Sequence, residues 1–591
     1  MNIRRQQSTW GLPIFTLLLV LGIAASAASQ TAKPGEEMLI LPGKAGVPGG
    51  RLVAALRSEP KTLNPVTALD LPSKEVISLL SADLIHINVY TQQTEPALAK
   101  SWKVSPDKRT YTLDLRRGIS FSDGHPFDAD DVVFSFKVYL DEKVHSPQLD
   151  LLKVGGKPIQ VRKLDPYRVA VDLPQPYAAA ERLFDSVSIL PRHLLEQTYE
   201  KGELAHAWSL TTSPGAIAGL GPFRVKQYSA GQQLVLERNP FYWKADAEKN
   251  RLPYLDNLAF APVPSEDAEV IRFQAGDVDV IDNINAENYA VLEKAQAAKH
   301  YRLHDLGPGM EYDFLFFNLN DLAAKHLPEI SRKQQWFRRD EFRQAVSAAI
   351  DREAIVRLVY YGRAASLSGQ VTPGNKLWMN AALPQPAQSL EKAQALLRSA
   401  GFSHRPDGKL VDPHGDLVEF SIVTNPSNIQ RTKMATIIQE DLNRLGMQVH
   451  VVPLEFQSLI TRVFDSFDYE ASVLGLQSGD ADPNPEINVW TSGGGTHVWA
   501  PAEVRPLTPW QAELDRLMQL ETTILDYKKR KQAYDRVQEI VAQYEPVICL
   551  VSPNVLVGAK DSLAGIEPAV LRYHMLWNAE QLYWEPRPQK K

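Results

Sequence analysis

Two adjoining stretches constrain the fold of this chain more than any others. "DLVEFSIVTN" (416–425) reads as a strand, and "QRTKMATIIQEDLNRLGMQVHVVPL" (430–454) reads as a helix running into a second strand. Strands joined through a helix pair in parallel, and the crossover is right-handed. That unit makes the chain an α/β protein. Further strands are read at "GPFRVKQY" (221–228), "QLVLERN" (233–239), "EYDFLFFNLN" (311–320) and "VICLVSPNVLVG" (547–558). Helical spacing covers "DEFRQAVSAAIDREAIVRLVYYG" (340–362), closed by Gly362, and "SLEKAQALLRSAG" (389–401), closed by Gly401. The sheets are therefore mixed, and no internal repeat is present.

At 591 residues the chain is long enough for several subdomains. It is 44% hydrophobic and 23% charged, which is ordinary for a globular protein. Its 64 basic and 70 acidic residues are spread along the length, with no basic run of the kind nucleic acid attracts. The first residues differ. Arg4 and Arg5 precede an apolar run that ends in Ala25-Ser26-Ala27, the pattern of a secretory signal peptide cleaved near Ala27. Residues 28–49 are rich in Gly, Pro and Lys and read as a linker. Cys549 is the one cysteine, so no internal disulfide can form, and its apolar strand is expected to hide it.

"FSDGHPFDADDVVFSF" (121–136) crowds four aspartates around His125. Asp128 stands where a helix N-cap belongs, and Asp130 and Asp131 fall in the first turn, where the helix dipole favours negative charge. Asp123-Gly124 is a turn pair. The cluster is expected to be structural, with no metal. Enzyme signatures are mostly missing. No H-E-x-x-H, G-x-S-x-G or phosphate-binding loop is found, and Ser58 and Lys61 match S-x-x-K without its companion motifs. A secreted serine hydrolase using Ser58 and Lys61 is the remote alternative.

Four segments, in order, resemble one family. They are "GGRLVAALRSEPKTLNP", "EPALAKSWKVSPDKRTYTLDLRRGISFSDGHPFDADDVVFSF", "GLGPFRVKQYSAGQQLVLERNPFYW" and "FRQAVSAAIDREAIVRLVYYGRA". The chain resembles the periplasmic solute-binding proteins of peptide-type ABC importers, extracellular family 5, from about Gly49 to Trp577. The resemblance implies a two-lobed periplasmic binding protein type 2 fold with an additional subdomain and a hinge between the lobes. Lobe I would comprise 50–85, 211–310 and 547–591, lobe II 311–546, and the extra subdomain 86–210. It implies a monomer that is not an enzyme, needs no cofactor, and delivers a short peptide to a membrane permease and its ATPase. An oligosaccharide, a metal chelate or another amine is the alternative ligand, and a signalling receptor the alternative role.

The resemblance also points to "VLGLQSGDADPNPEINVWTSGG" (473–494) as the segment beside the ligand, its strand pairing with the peptide backbone. It implies that Asp480 holds the peptide's amino group, with Asp482 the other candidate acid. Gln477 stands where many members have Trp. Trp490 and Trp499 are candidate pocket walls, since aromatic rings give large apolar contact at little entropic cost. Tyr312 and Asn318, on the strand resembling the lobe crossing, are candidate cleft residues.

Overall fold

The computed structural model describes residues 35–322, 327–478 and 480–586. The expected signal peptide and the first residues of the expected linker lie outside the described residues. Strands join in one hydrogen-bonded path: Phe223–Ser229, Gln233–Arg238, Asn257–Pro262, Arg51–Leu56, Val280–Ile281, Val547–Lys560, Glu311–Phe317, Ala471–Gln477, Glu419–Thr424 and Gln448–Pro453. The predicted strand–helix–strand unit is present. Glu419–Thr424 runs parallel to Gln448–Pro453, with helix Ile429–Asn443 between them.

One strand joins the two lobes. Val547–Lys560 pairs through Val547, Ile548, Cys549 and Val551 with Glu311–Phe317, and through Leu556–Lys560 with Tyr301–Pro308. The chain crosses a second time where Tyr301–Pro308 leads into Glu311–Phe317, and the Gly309 amide donates to the Pro553 carbonyl at 2.8 Å. Two antiparallel crossings side by side make a ribbon that can bend without breaking either sheet. The first half of Val547–Lys560 thus pairs within the 311–546 segment and its second half within the 211–310 segment.

The apolar core falls into two clusters. One gathers Leu52, Leu113, Phe121 and Phe260, and the other Phe317, Phe337, Phe342 and Phe420. The antiparallel sheet of Ala99–Val104, Thr110–Leu115, Arg168–Asp172 and Gln160–Asp165 belongs to the extra subdomain. Its Leu113 and Val169 are buried in the first core, so this subdomain is continuous with lobe I. Cys549 is buried, as its strand requires.

Two expectations change. Gly35–Gly49 is docked, not loose. Leu39–Ile40 pairs with Lys244–Ala245, and Glu36 accepts two hydrogen bonds from Arg251, at 2.9 and 2.7 Å. The composition signalled turns, but the charge pairing that holds them lies some two hundred residues away. The helix expected over 340–362 is two helices, Asp340–Ala349 and Arg352–Val359. Asp351 caps the second by accepting from the Ala354 amide at 2.8 Å, while its own amide donates to Asp441 at 2.8 Å. A capping side chain and an outside acceptor compete with the helix ladder and break it.

The four aspartates of 121–136 are engaged within the protein. Asp128 caps helix Ala129–Tyr139 and Asp131 closes a capping box, accepting from the Asp128 amide at 3.0 Å. The second oxygen of Asp131 accepts from the Arg192 amide at 3.0 Å. Asp130 pairs with Lys163 at 2.8 Å, and Asp123 meets His193 Nε2 at 2.7 Å. Asp128→Ala should cost about 1 kcal/mol of unfolding free energy in urea. Ligand affinity should be unchanged, and a loss of binding at unchanged stability would assign the stretch to the site instead.

Candidate functional site in the cleft between the lobes

The lobes are closed on one another. Lys433 reaches Glu287 at 3.4 Å, the Gln92 side chain donates to the Gly374 carbonyl at 2.8 Å, and the Ala178 amide donates to the Thr522 carbonyl at 2.7 Å. Between them lies a cavity of about 190 Å³, lined by Asn285 and Ala286 of lobe I and by Glu311, Asp313, Asn428 and Gln477 of lobe II. Helices Ala286–Lys299 and Ile429–Asn443 both begin at its wall. Asn285 and Asn428 cap them from opposite sides of the cavity, accepting from the Asn288 and Arg431 amides at 2.8 and 2.9 Å.

The floor is the strand pair Glu311–Phe317 and Ala471–Gln477, which match residue for residue. Arg431 sits over it, with Nε 2.9 Å from Asp313 and Nη2 3.0 Å from Glu311. Tyr360 donates to the other Asp313 oxygen at 2.9 Å. Asp313 is opposite Gly475, where a Cβ would meet both Arg431 and Asp313. On its other edge, Ala471–Gln477 pairs with Glu419–Thr424 only at Ala471 and Ser472. The end of the strand has no strand partner on that side among the described residues.

A second charged group closes another part of the interface. Arg182 of the extra subdomain pairs with Asp480, approaches Asp482 at 3.4 Å, and donates to the Gln92 carbonyl at 2.6 Å. Arg530 grips Asp482 with two hydrogen bonds, at 2.7 and 2.6 Å, and Glu521 at 2.8 Å. Burial pushes the Asp480 carboxyl up to about 6, with Asp482 adding to the rise and Arg182 opposing it. Asp480 and Asp482, expected beside the ligand, therefore carry the protein's own guanidinium groups.

The other expected residues divide. Gln477 lines the cleft. Trp490 and Trp499 are buried in the core of lobe II, with ring centroids 5.4 Å apart, and Trp490 Nε1 donates to Glu486 at 2.8 Å. They are packing residues, not pocket walls. Tyr312 is buried against Phe314 on the face of its strand away from Asp313. Asn318 is buried too, donating to the carbonyls of Phe467 and Tyr469 at 2.9 Å and accepting from Asn320 and Gln334. Its amide has no capacity left for a ligand. The sequence reading missed Glu311, Asp313 and Arg431. The signal was available in part: a strand's faces alternate, and the two acids sit one residue either side of Tyr312.

Among the described residues, one cluster has the ligand types of a cation site. Asp83, His86 and Asp185 come together, but the carboxylates pair with the imidazole, Asp83 at 3.1 Å and Asp185 at 3.5 Å. Burial pulls the His86 pKa down, yet the two acids outweigh it and raise it to about 10. Ser58 and Lys61 are both exposed, and no hydrogen bond joins them among the described residues.

Glu75, on helix Leu71–Leu80, has a carboxyl that burial, then Asp282 and Glu269, push up to about 8, with Arg572 opposing. A carboxyl raised in this way contributes stability below its ordinary value near 4.5, lost as pH climbs through about 8. Glu75→Gln should therefore melt with the natural protein at pH 4.5 and be more stable at pH 9. After solvent screening the gain should be about 2 kcal/mol. Melting curves across that range check it, and a gain that is the same at both ends would show that the carboxyl does not titrate in this window.

The family model for bacterial extracellular solute-binding proteins, family 5 Middle, matches residues 93–497. A probable ABC transporter-binding protein of Deinococcus radiodurans is 26% identical over 573 residues, covering 93% of this chain and 95% of its own. Oligopeptide-binding protein AppA of Bacillus subtilis is 26% identical over 97% of this chain and 98% of its own. The solved structure of AppA from Bacillus subtilis with a nonapeptide superposes with a TM-score of 0.68, at 24% identity, over 92% of this chain and all of that one. The substrate-binding protein CtaP from Listeria monocytogenes gives a TM-score of 0.74, at 22% identity, over 91% of this chain and 99% of that one. Two lobes joined by a paired ribbon, a charged cleft between them, and a family match over more than half its length agree: this chain belongs to the bacterial extracellular solute-binding proteins of family 5.

Proposed function

We propose that this protein captures a short peptide between its lobes in the periplasm, after export by a cleaved signal peptide, and delivers it to the permease and ATPase of an ABC importer. The observation that supports the peptide is the unpartnered edge of Ala471–Gln477 beside the cleft. An extended peptide adds to such an edge through its own backbone hydrogen bonds, whatever its side chains. The relatives named for oligopeptide and dipeptide binding support the same reading.

Native mass spectrometry of protein taken straight from the periplasm tests the ligand. Peptides of a few residues are expected in the closed form, and a retained sugar or chelate would overturn the peptide reading. After ligand removal by unfolding and refolding, scattering should show an opened molecule. Adding peptide at a hundred times Kd should compact it and stabilise it by about 2.7 kcal/mol. Because Asp480 is already paired with Arg182, N-acetylated and free peptides should bind alike.

A further inference from the structure

The extra subdomain reaches across to lobe II through one hairpin and one short helix. Ile85–Ile87 and Thr94–Pro96 pair antiparallel, and Gln92 sits in the turn between them. Its φ is +60°, a left-handed backbone that a residue with a Cβ adopts at a cost. The side chain gives the position a use. Gln92 is 1% exposed, its Nε2 donates to the Gly374 carbonyl at 2.8 Å, and its Oε1 accepts from the Lys376 amide at 2.9 Å. One side-chain amide thus matches a carbonyl and an N–H of the same facing loop. Arg182, in the short helix Ala180–Phe184, donates to the Gln92 carbonyl at 2.6 Å, pairs with Asp480 and lies 3.4 Å from Asp482.

Both sides of this contact are braced in advance. On the near side, Asp185 accepts from the Ile87 amide at 3.1 Å, and Thr94 donates to Glu181, so the hairpin is fixed to the helix. On the far side, Asn375 donates to the Ala481 carbonyl at 2.8 Å, which fixes the Gly374 loop to the Asp480 segment. Two prearranged surfaces lose little freedom when they meet. Each is anchored in a different apolar cluster: Ile85, Leu183 and Phe184 pack with Leu52, whereas Trp378 and Ala481 pack with Phe317. Any change in the angle between the two clusters works against these bonds. None of Gln92, Arg182, Gly374, Lys376 and Asp480 lines the solute cavity.

We propose that Gln92 and Arg182 form a latch, through which the extra subdomain holds a fraction of the protein closed before any solute enters. The latch does not depend on what the solute is. Its two residues act differently. An ion pair gains little when both charges are otherwise hydrated, but closing onto Asp480 without Arg182 leaves a carboxylate desolvated and unpaired. Arg182 therefore permits closure, and the two hydrogen bonds of the Gln92 amide favour it.

The test reads the distance between helices Ala286–Lys299 and Ile429–Asn443 in full mature protein, freed of solute by unfolding and refolding. Val291→Cys and Thr436→Cys carry one spin label each. Both positions are exposed, and Cys549 is buried and stays unlabelled. With no solute added, pulsed electron resonance should resolve the short distance of the closed structure beside a longer one. Gln92→Gly should lower the closed-to-open ratio about tenfold through its two lost hydrogen bonds. Its urea midpoint should stay in place, because glycine accepts the left-handed turn. Arg182→Met should lower the ratio about tenfold or more, and adding Asp480→Asn should recover part of that loss by removing the stranded charge. A ratio left unchanged by either Gln92→Gly or Arg182→Met would overturn the latch. Absence of the short distance from protein with Gln92 and Arg182 intact would overturn it as well, and that measurement needs no change in the latch.

Discussion

Arg530→Met should lower the unfolding free energy by about 3–5 kcal/mol, because it leaves buried carboxylates without their cation. The guanidinium, 6% exposed, is shared by Asp482 at 4% and Glu521 at 0%. It also lies over the Trp378 ring, 4.8 Å from its centroid. Methionine keeps the apolar stem and the contact with Trp378, so the loss reports the charges and not a cavity. Arg182 remains 3.4 Å from Asp482, but among the described residues no second cation pairs with Glu521. Burial already pushes Glu521 up to about 7 against the pull of Arg530. Without Arg530 that carboxyl should take up a proton near neutrality, and the stability deficit should shrink as pH falls. Urea unfolding at pH 8 and pH 5 measures both parts. A deficit below about 1 kcal/mol, or one that grows as pH falls, would show that the acids have found other partners.

What was legible in the sequence was what local pattern encodes. The strands Phe223–Ser229 and Glu311–Phe317 were legible, the second as a strongly apolar run, spacing gave helix Ile429–Asn443, and Asp128 marked its helix start correctly. The crossover rule then set the parallel pairing of Glu419–Thr424 with Gln448–Pro453. The site was less legible because its chemistry lies in pairs far apart along the chain. Asp480 could be read as an acid beside a strand, but its partner Arg182 lies 298 residues earlier. Arg431 is 118 residues from Asp313, and the sequence between gives no hint that they meet. Trp490 and Trp499 show the opposite error. Aromatic residues near a ligand segment suit a pocket, yet their size makes them equally good filling for a core, and the burial of both rings against each other shows which demand won. The break at Asp351 was local in cause but needed Asp441, 90 residues on, to accept the freed amide.

Gly475→Ala should be the second severe substitution, although it adds one methyl group on a strand. Glycine normally weakens a strand, so alanine there should be neutral or better unless something occupies the space of its Cβ. Here the Arg431 guanidinium does, with the Asp313 carboxylate 2.5 Å from the same point. Asp313 cannot withdraw. It is 2% exposed, pinned in register opposite Gly475, and also bonded to Tyr360. The methyl group must therefore displace Arg431, which is 12% exposed and can swing toward the cleft. Asp313 then keeps only the Tyr360 hydroxyl, and a broken buried pair costs about 3–5 kcal/mol. The swing also puts a free guanidinium into the space a ligand needs. Gly475→Ala should lose both stability and ligand affinity, whereas Arg530→Met should chiefly lose stability. A double-mutant cycle isolates the cause. If the methyl group acts by expelling Arg431, Gly475→Ala added to Arg431→Ala should cost little more than Arg431→Ala alone. Full additivity of the two losses would mean that the methyl group strains the strand pair itself, and the floor of the cleft would then be set by backbone packing more than by the Arg431–Asp313 pair.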